Sequence, residues 1–163
     1  MSTSNLPINW TATDPVPSTQ IYLDPPKSSD SSRTNFYGSR DDDVPGYRIY
    51  SIPTGTPVAE VVRFFEVGSH YGGDTAETVA LVAAKASKIA EIIPCHVVFA
   101  DAAGLKLRFD RQVTDDDIRK FEALFPEEDV MQAGLERYFS ESDGEGSIFE
   151  LVKEENLFHF WWD

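Results

Sequence analysis

His96-Val-Val-Phe-Ala-Asp-Ala-Ala-Gly-Leu-Lys-Leu-Arg-Phe109 is the stretch on which the fold turns. Val97, Val98 and Phe99 form a short apolar run, the pattern of a strand buried on both faces. Asp101-Ala-Ala-Gly104 is a turn that ends in glycine. Beyond it Leu105, Leu107 and Phe109 alternate with Lys106, Arg108 and Asp110, the period of a strand with one face in the core and one in water. Two strands joined by a tight turn make an antiparallel pair. The alternation predicts a buried Leu107 flanked by exposed Lys106 and Arg108.

Upstream, Val79, Val82, Ala86, Ile89, Ala90 and Ile93 recur at helical steps behind a cap at Asp74 or Thr75, and Pro94 stops them. Thr56-Pro57 opens a shorter helix carrying Val58, Val61, Val62 and Phe65, because proline at the first helical position loses no hydrogen bond. Tyr47 to Ile52 reads as a strand. Downstream, Thr114 and Asp117 have the spacing of a capping box, with Ile118, Phe121, Leu124 and Phe125 behind them. A second helical piece runs from about 128 to 139, and a third covers 149–155. Leu157 to Trp162 closes the chain as a strand, with Phe158, Phe160 and Trp162 on one face and Leu157, His159 and Trp161 on the other. The order strand, helices, strand, strand, helices, strand predicts an α+β fold of the split βαβ (ferredoxin-like) kind. That is a two-layer sandwich, an antiparallel sheet with helices on one face. The last strand is expected near the centre, since a naked aromatic edge invites aggregation.

Residues 1–45 differ from the single α+β domain predicted over 46–163. They hold six of the ten prolines and eight serines, and no helical or strand period runs through them. Proline fixes φ and removes a ladder donor, so this segment reads as an irregular N-terminal arm. Trp10, Ile21-Tyr22-Leu23 and Phe36-Tyr37 are apolar clusters on it. Either they dock on the domain, with Trp10, Tyr22 and Phe36 covering the second face of the sheet, or they dock on a partner, the other candidate cover for that face, or the arm is a tail.

The chain has 163 residues, 28 acids, 14 Lys and Arg, and a net charge of −14. Phosphate recognition needs surplus cations, so neither a nucleic acid nor an acidic membrane is an expected partner. One cysteine leaves no disulfide framework. No apolar run nears the about 20 residues of a membrane span, and the first residues lack a signal-peptide pattern, so the expected compartment is the cytoplasm. The charge is uneven: residues 113–163 hold 15 acids and 4 bases, net −11.

The ending Leu157-Phe-His-Phe-Trp-Trp-Asp163 resembles that of an uncharacterised bacterial domain family whose members finish in aromatic-Trp-Trp-Asp. Ile52-Pro53-Thr54 followed by Pro57 resembles that family's Pro-Thr-x-x-Pro opening. Phe125-Pro126-Glu-Glu-Asp-Val-Met-Gln-Ala133 resembles its Phe-Cys-Pro-Asp-x-x-x-Gln-Gly segment. The likeness covers about residues 47–163. Ser69-His70-Tyr71 stands where the family has Gly-Trp-Asn, and neither family cysteine is present. The resemblance implies domain boundaries and no activity.

Several residues could carry chemistry or recognition. His70-Tyr71-Gly72-Gly73-Asp74 is the most site-like stretch: glycines let a backbone approach a ligand, and a helix N-terminus follows. The simpler reading of the same residues is a flexible helix–helix connector. Cys95-His96 pairs a thiol with an imidazole, but neighbours on a strand point to opposite faces, which favours Cys95 as a core residue. Asp115–Asp117 read as first-turn acids opposing a helix dipole. Glu127, Glu128 and Asp129 belong to an acidic surface that either solubilises or steers a basic protein. His159 and Trp161 face away from the core, where aromatic residues serve as interface anchors. The leading expectation is a small acidic protein-binding module with a basic partner, in the style of a bacterial immunity or inhibitor protein, with no cofactor. The alternative is a small-molecule-binding or enzymatic domain using the 68–74 loop.

Overall fold

The structure, a computed structural model, describes residues 6–40, 46–125, 130–141 and 147–162. Among the described residues, six strands form one sheet: β1 (Thr11–Ala12), β2 (Arg33–Gly38), β3 (Arg48–Pro53), β4 (Cys95–Asp101), β5 (Gly104–Phe109) and β6 (Leu157–Trp161). Their order is β1-β3-β2-β4-β5-β6. Neighbours are antiparallel except β2 and β4, which run parallel. The helices are α1 (Val58–Phe65), α2 (Thr75–Ile92), α3 (Asp115–Leu124), α4 (Val130–Glu141) and α5 (Ile148–Glu155).

The α+β class is as expected. The sheet is not: it is mixed and six-stranded, and its order is not that of a simple split βαβ sandwich. The cause is β2. This strand comes from the segment read as an irregular arm, yet it lies between β3 and β4, and Phe36 and Tyr37 are buried on its two faces. Its apolar content is two residues beside Gly38, too little for a periodic signal. Gly38 itself is dictated by packing, since a Cβ there would lie 2.7 Å from the Phe65 ring.

A second correction concerns β6, which is an edge strand. Its aromatic surface is guarded by α4 instead of by a neighbouring strand. The Trp162 indole Nε1 donates to the Val130 carbonyl at 2.8 Å, and the Tyr138 ring lies 3.8 Å from that of His159. An edge covered by a helix escapes the aggregation hazard that suggested a central place.

The core fills the space between one face of the sheet and the helices. Phe36, Tyr50, Leu105, Leu107, Phe158 and Phe160 meet Val62 and Phe65 of α1, Val82, Ala86 and Ile89 of α2, and Phe121 of α3. Thr114 caps α3 in a full capping box with Asp117, as its spacing predicted. The other face of the sheet is only partly covered. Trp10 and Phe36, expected there, are in the core, where Trp10 meets Phe64 and Phe36 edge-on. Tyr22 is 80% exposed. A strap of residues 18–28 covers part of that face instead: Gln20 Nε2 donates to the Tyr37 hydroxyl at 3.4 Å, and Arg108 Nη2 donates to Asp24 Oδ1 at 2.9 Å. Leu107 is fully buried as predicted, but Lys106 and Arg108 are half-buried under this strap.

Candidate functional site

β2 and β4 pair only through Tyr37 with Phe99 and Gly38 with Ala100. Toward their N-terminal ends they are unpaired, and a cleft of about 600 Å³ opens there. Thr34 and Asn35 of β2 and Cys95 and His96 of β4 flank it, and Val58, Val61 and Ala90 from the helix layer line it as well. His96 lies opposite Arg108 on the open face, with its Nδ1 2.7 Å from Asp110 Oδ1. Cys95 lies opposite Phe109 and packs against the core. The two neighbours therefore face opposite ways. Burial, and then the charge of Asp110, push the Cys95 thiol up to about 12. A thiol held protonated is no nucleophile.

A second cavity, also about 600 Å³, lies over β4, β5 and β6. Phe99, Lys106, Arg108, His159 and Trp161 form its floor, the strap residues Ile21–Pro25 one wall, and Tyr47 and Tyr138 other parts. Asp24, Pro25, Val98 and Arg108 line both cavities. The floor follows from the register, because Lys106 stands opposite both Phe99 and His159.

Electrostatics here reflect a half-dry environment. Burial lowers the Lys106 ammonium from its ordinary value; Asp24 and Glu155 counter this, and Arg108 adds to it. Burial, and then Lys106, push His159 down to about 3, so its imidazole is neutral at physiological pH. Burial raises Asp101, although the Ala103 N–H and the Tyr47 hydroxyl donate to it at 2.9 and 3.2 Å. Glu155 accepts from the Tyr138 hydroxyl on both oxygens, each at 3.2 Å.

The structure brings His159 and Trp161 together in this cavity, but none of residues 68–74 lines either cavity. The 68–74 loop packs on the β4–β5 turn, where the Gly68 and His70 N–H groups donate to the Ala102 carbonyl. Asp74 caps α2 by accepting from the Glu77 N–H at 2.9 Å. Tyr71 is exposed, and Gly72 and Gly73 take φ of +104° and +77°, a conformation that glycine adopts without a Cβ penalty. Glu127, Glu128 and Asp129 lie outside the described residues. The first-turn acids of α3 are held by neighbours: Asp115 by Lys153, Asp116 by Arg119 and Lys120, and buried Asp117 by Arg111 at 2.7 Å. Glu122, Glu136, Glu150 and Glu154 are exposed.

Sequence reasoning missed Arg108, Lys106 and Asp24 as a group. The signal was present in part, since the alternation placed Lys106 and Arg108 on the face away from the core, the face also given to His159 and Trp161. What it lacked was the strap. Among the described residues, no cluster of three His, Cys, Asp or Glu side chains could hold a metal ion, and no helix is long and apolar enough to cross a membrane. Comparison with protein-family models, curated proteins and solved structures finds no match to this chain.

Proposed function

We propose that this chain is a protein-binding module whose partner is basic, in the manner of an immunity or inhibitor protein acting in the cytoplasm. The observation that carries the reading is the exposure of Tyr22 and Leu23, 80% and 67%, side by side on the strap at the rim of a cavity floored by Trp161 and His159. Large apolar side chains set together in solvent mark an interaction surface, and aromatic residues are its usual anchors. The net charge of −14 would draw a basic partner and raise its association rate. The exposed acids of α3, α4 and α5 lie in the most acidic part of the chain. Membership of the family ending in aromatic-Trp-Trp-Asp belongs to the same proposal. Its support is that Trp161 and Trp162 have distinct places, one on the open face and one against α4.

A photo-crosslinking residue at position 22 tests this in the source cell. One basic protein should be labelled, less so when Leu23→Ser is added and as ionic strength rises past about 0.15 M. The same residue at Leu81, exposed on α2, should not label it. Equal labelling from both positions, or indifference to salt, would sink the reading.

The small-molecule alternative is favoured by the two cavities and not by the 68–74 loop, which lines neither.

A further inference from the structure

We propose that the open face binds a small aromatic carboxylate, with Arg108 as its anchor and Asp24 as a built-in competitor for the same guanidinium. The inference is independent of the protein-binding reading.

It starts from a contrast of charge. The chain is strongly acidic. Yet the centre of its open face carries Lys106 and Arg108, two residues apart on β5, and neither projects freely into water. A half-dry cation draws an anion more strongly than a solvated one does. Among the described residues, three carboxylates border the second cavity, and two are engaged elsewhere. Asp101 is held by Ala103 N–H and the Tyr47 hydroxyl, and Glu155 by the Tyr138 hydroxyl. Only Asp24 reaches a guanidinium.

Its grip is incomplete. Asp24 is itself 71% exposed and accepts from Arg108 Nη2 through Oδ1. Arg108 Nη1 reaches the Glu155 carbonyl at 3.5 Å, the limit of a hydrogen bond. Arg108 Nε is shielded from water and has no hydrogen-bond partner. A shielded donor left empty carries a standing cost. The Nε and Nη2 edge is the fork that a carboxylate fills with two parallel bonds. A ligand carboxylate with one oxygen on each would complete what Asp24 leaves half done, and Lys106 would lie beside it.

The rest of the cavity suits an aromatic body. Phe99 and Trp161 lie on its floor and Tyr47 on its wall, in a volume within the range of small-molecule sites. Because Asp24 occupies the anchor, binding must displace it, and the strap residues 21–25 move with it.

Benzoate, with benzamide as its neutral match, tests the proposal by calorimetry and thermal shift on the whole chain. Benzoate should bind and benzamide should not. Asp24→Asn should tighten benzoate binding by about tenfold, because the competitor loses its charge. Arg108→Gln should abolish binding. Should that variant fold poorly, Arg108→Lys keeps the charge, lacks the fork, and should lose at least about tenfold. The proposal is overturned if Asp24→Asn leaves benzoate affinity unchanged or weaker, if benzamide binds as well, or if no variant binds benzoate.

Discussion

Gly134 lies so close to Trp162 that a Cβ built on it would sit 2.8 Å from Cε2 of the indole. The bare Cα lets α4 press onto the end of β6, while the indole N–H donates to the Val130 carbonyl one turn earlier. Gly134→Ala should therefore destabilise the fold by about 1–3 kcal/mol, the usual range for overpacking. Alanine is otherwise the better helix former by about 1 kcal/mol. Urea denaturation that shows the variant equal to or more stable than wild type would mean that α4 does not sit where described.

The N-terminal segment is part of the sheet. Removing residues 1–40 deletes β2 and leaves β3 and β4 without a neighbour between them. That truncation should abolish cooperative unfolding, whereas loss of a docked tail would only lower the melting temperature. Trp10→Ala, which empties a site between Phe36 and Phe64, should cost about 3–5 kcal/mol and keep the transition cooperative. A truncated chain that still melts sharply would contradict the place of β2.

Cys95 should be silent. Its thiol is held up near 12 by burial and by Asp110, so the thiolate fraction at pH 8 is negligible. Iodoacetamide should label the native protein far more slowly than the same protein in denaturant. Equal rates would show that the cleft floor is open.

His159 supplies a pH signature. Its folded value is about 3, against about 6.5 for an unperturbed histidine. The native state therefore binds fewer protons than the unfolded chain over that interval. Stability should be full above about pH 6.5 and fall as pH drops toward 3. Asp117 is also depressed, held by Arg111, so its contribution is lost as pH falls below the ordinary carboxylate range. The window between about pH 4.5 and 6.5 thus isolates His159 from Asp117. In it, His159→Gln should remove the loss of stability on acidification that the imidazole causes, leaving the opposite contribution of Asp101, which burial raises. An unchanged slope would place the imidazole in water.

Most elements after residue 46 were legible because each carries its own period or cap. The 105–109 alternation, the Thr114–Asp117 box and the stripe ending at Ile93 survive almost to the residue. β2 was not legible, because its place depends on Phe65 and Tyr50, distant in sequence, and Phe36-Tyr37 beside a glycine gives no periodicity. The candidate site divides the same way. His159 and Trp161 were placed on the correct face by strand alternation. Arg108 and Asp24 meet across 84 positions of chain, a relation that no local pattern encodes.

The parallel junction between β2 and β4 also governs how the chain assembles. β4 and β5 are joined by a tight turn, and β2 reaches β3 through residues 39–47. The junction, by contrast, joins Tyr37 to Phe99 across 62 positions. Closing a longer loop costs more entropy before any contact rewards it. The prediction is that two locally built ribbons form first and are zipped together last, over only two residue pairs. Pulse-labelled hydrogen exchange should then protect β4–β5 amides before those that join β2 to β4; simultaneous protection would refute the order. On this view the cleft beside His96 is where the zipper stops, a gap left by the final step of folding.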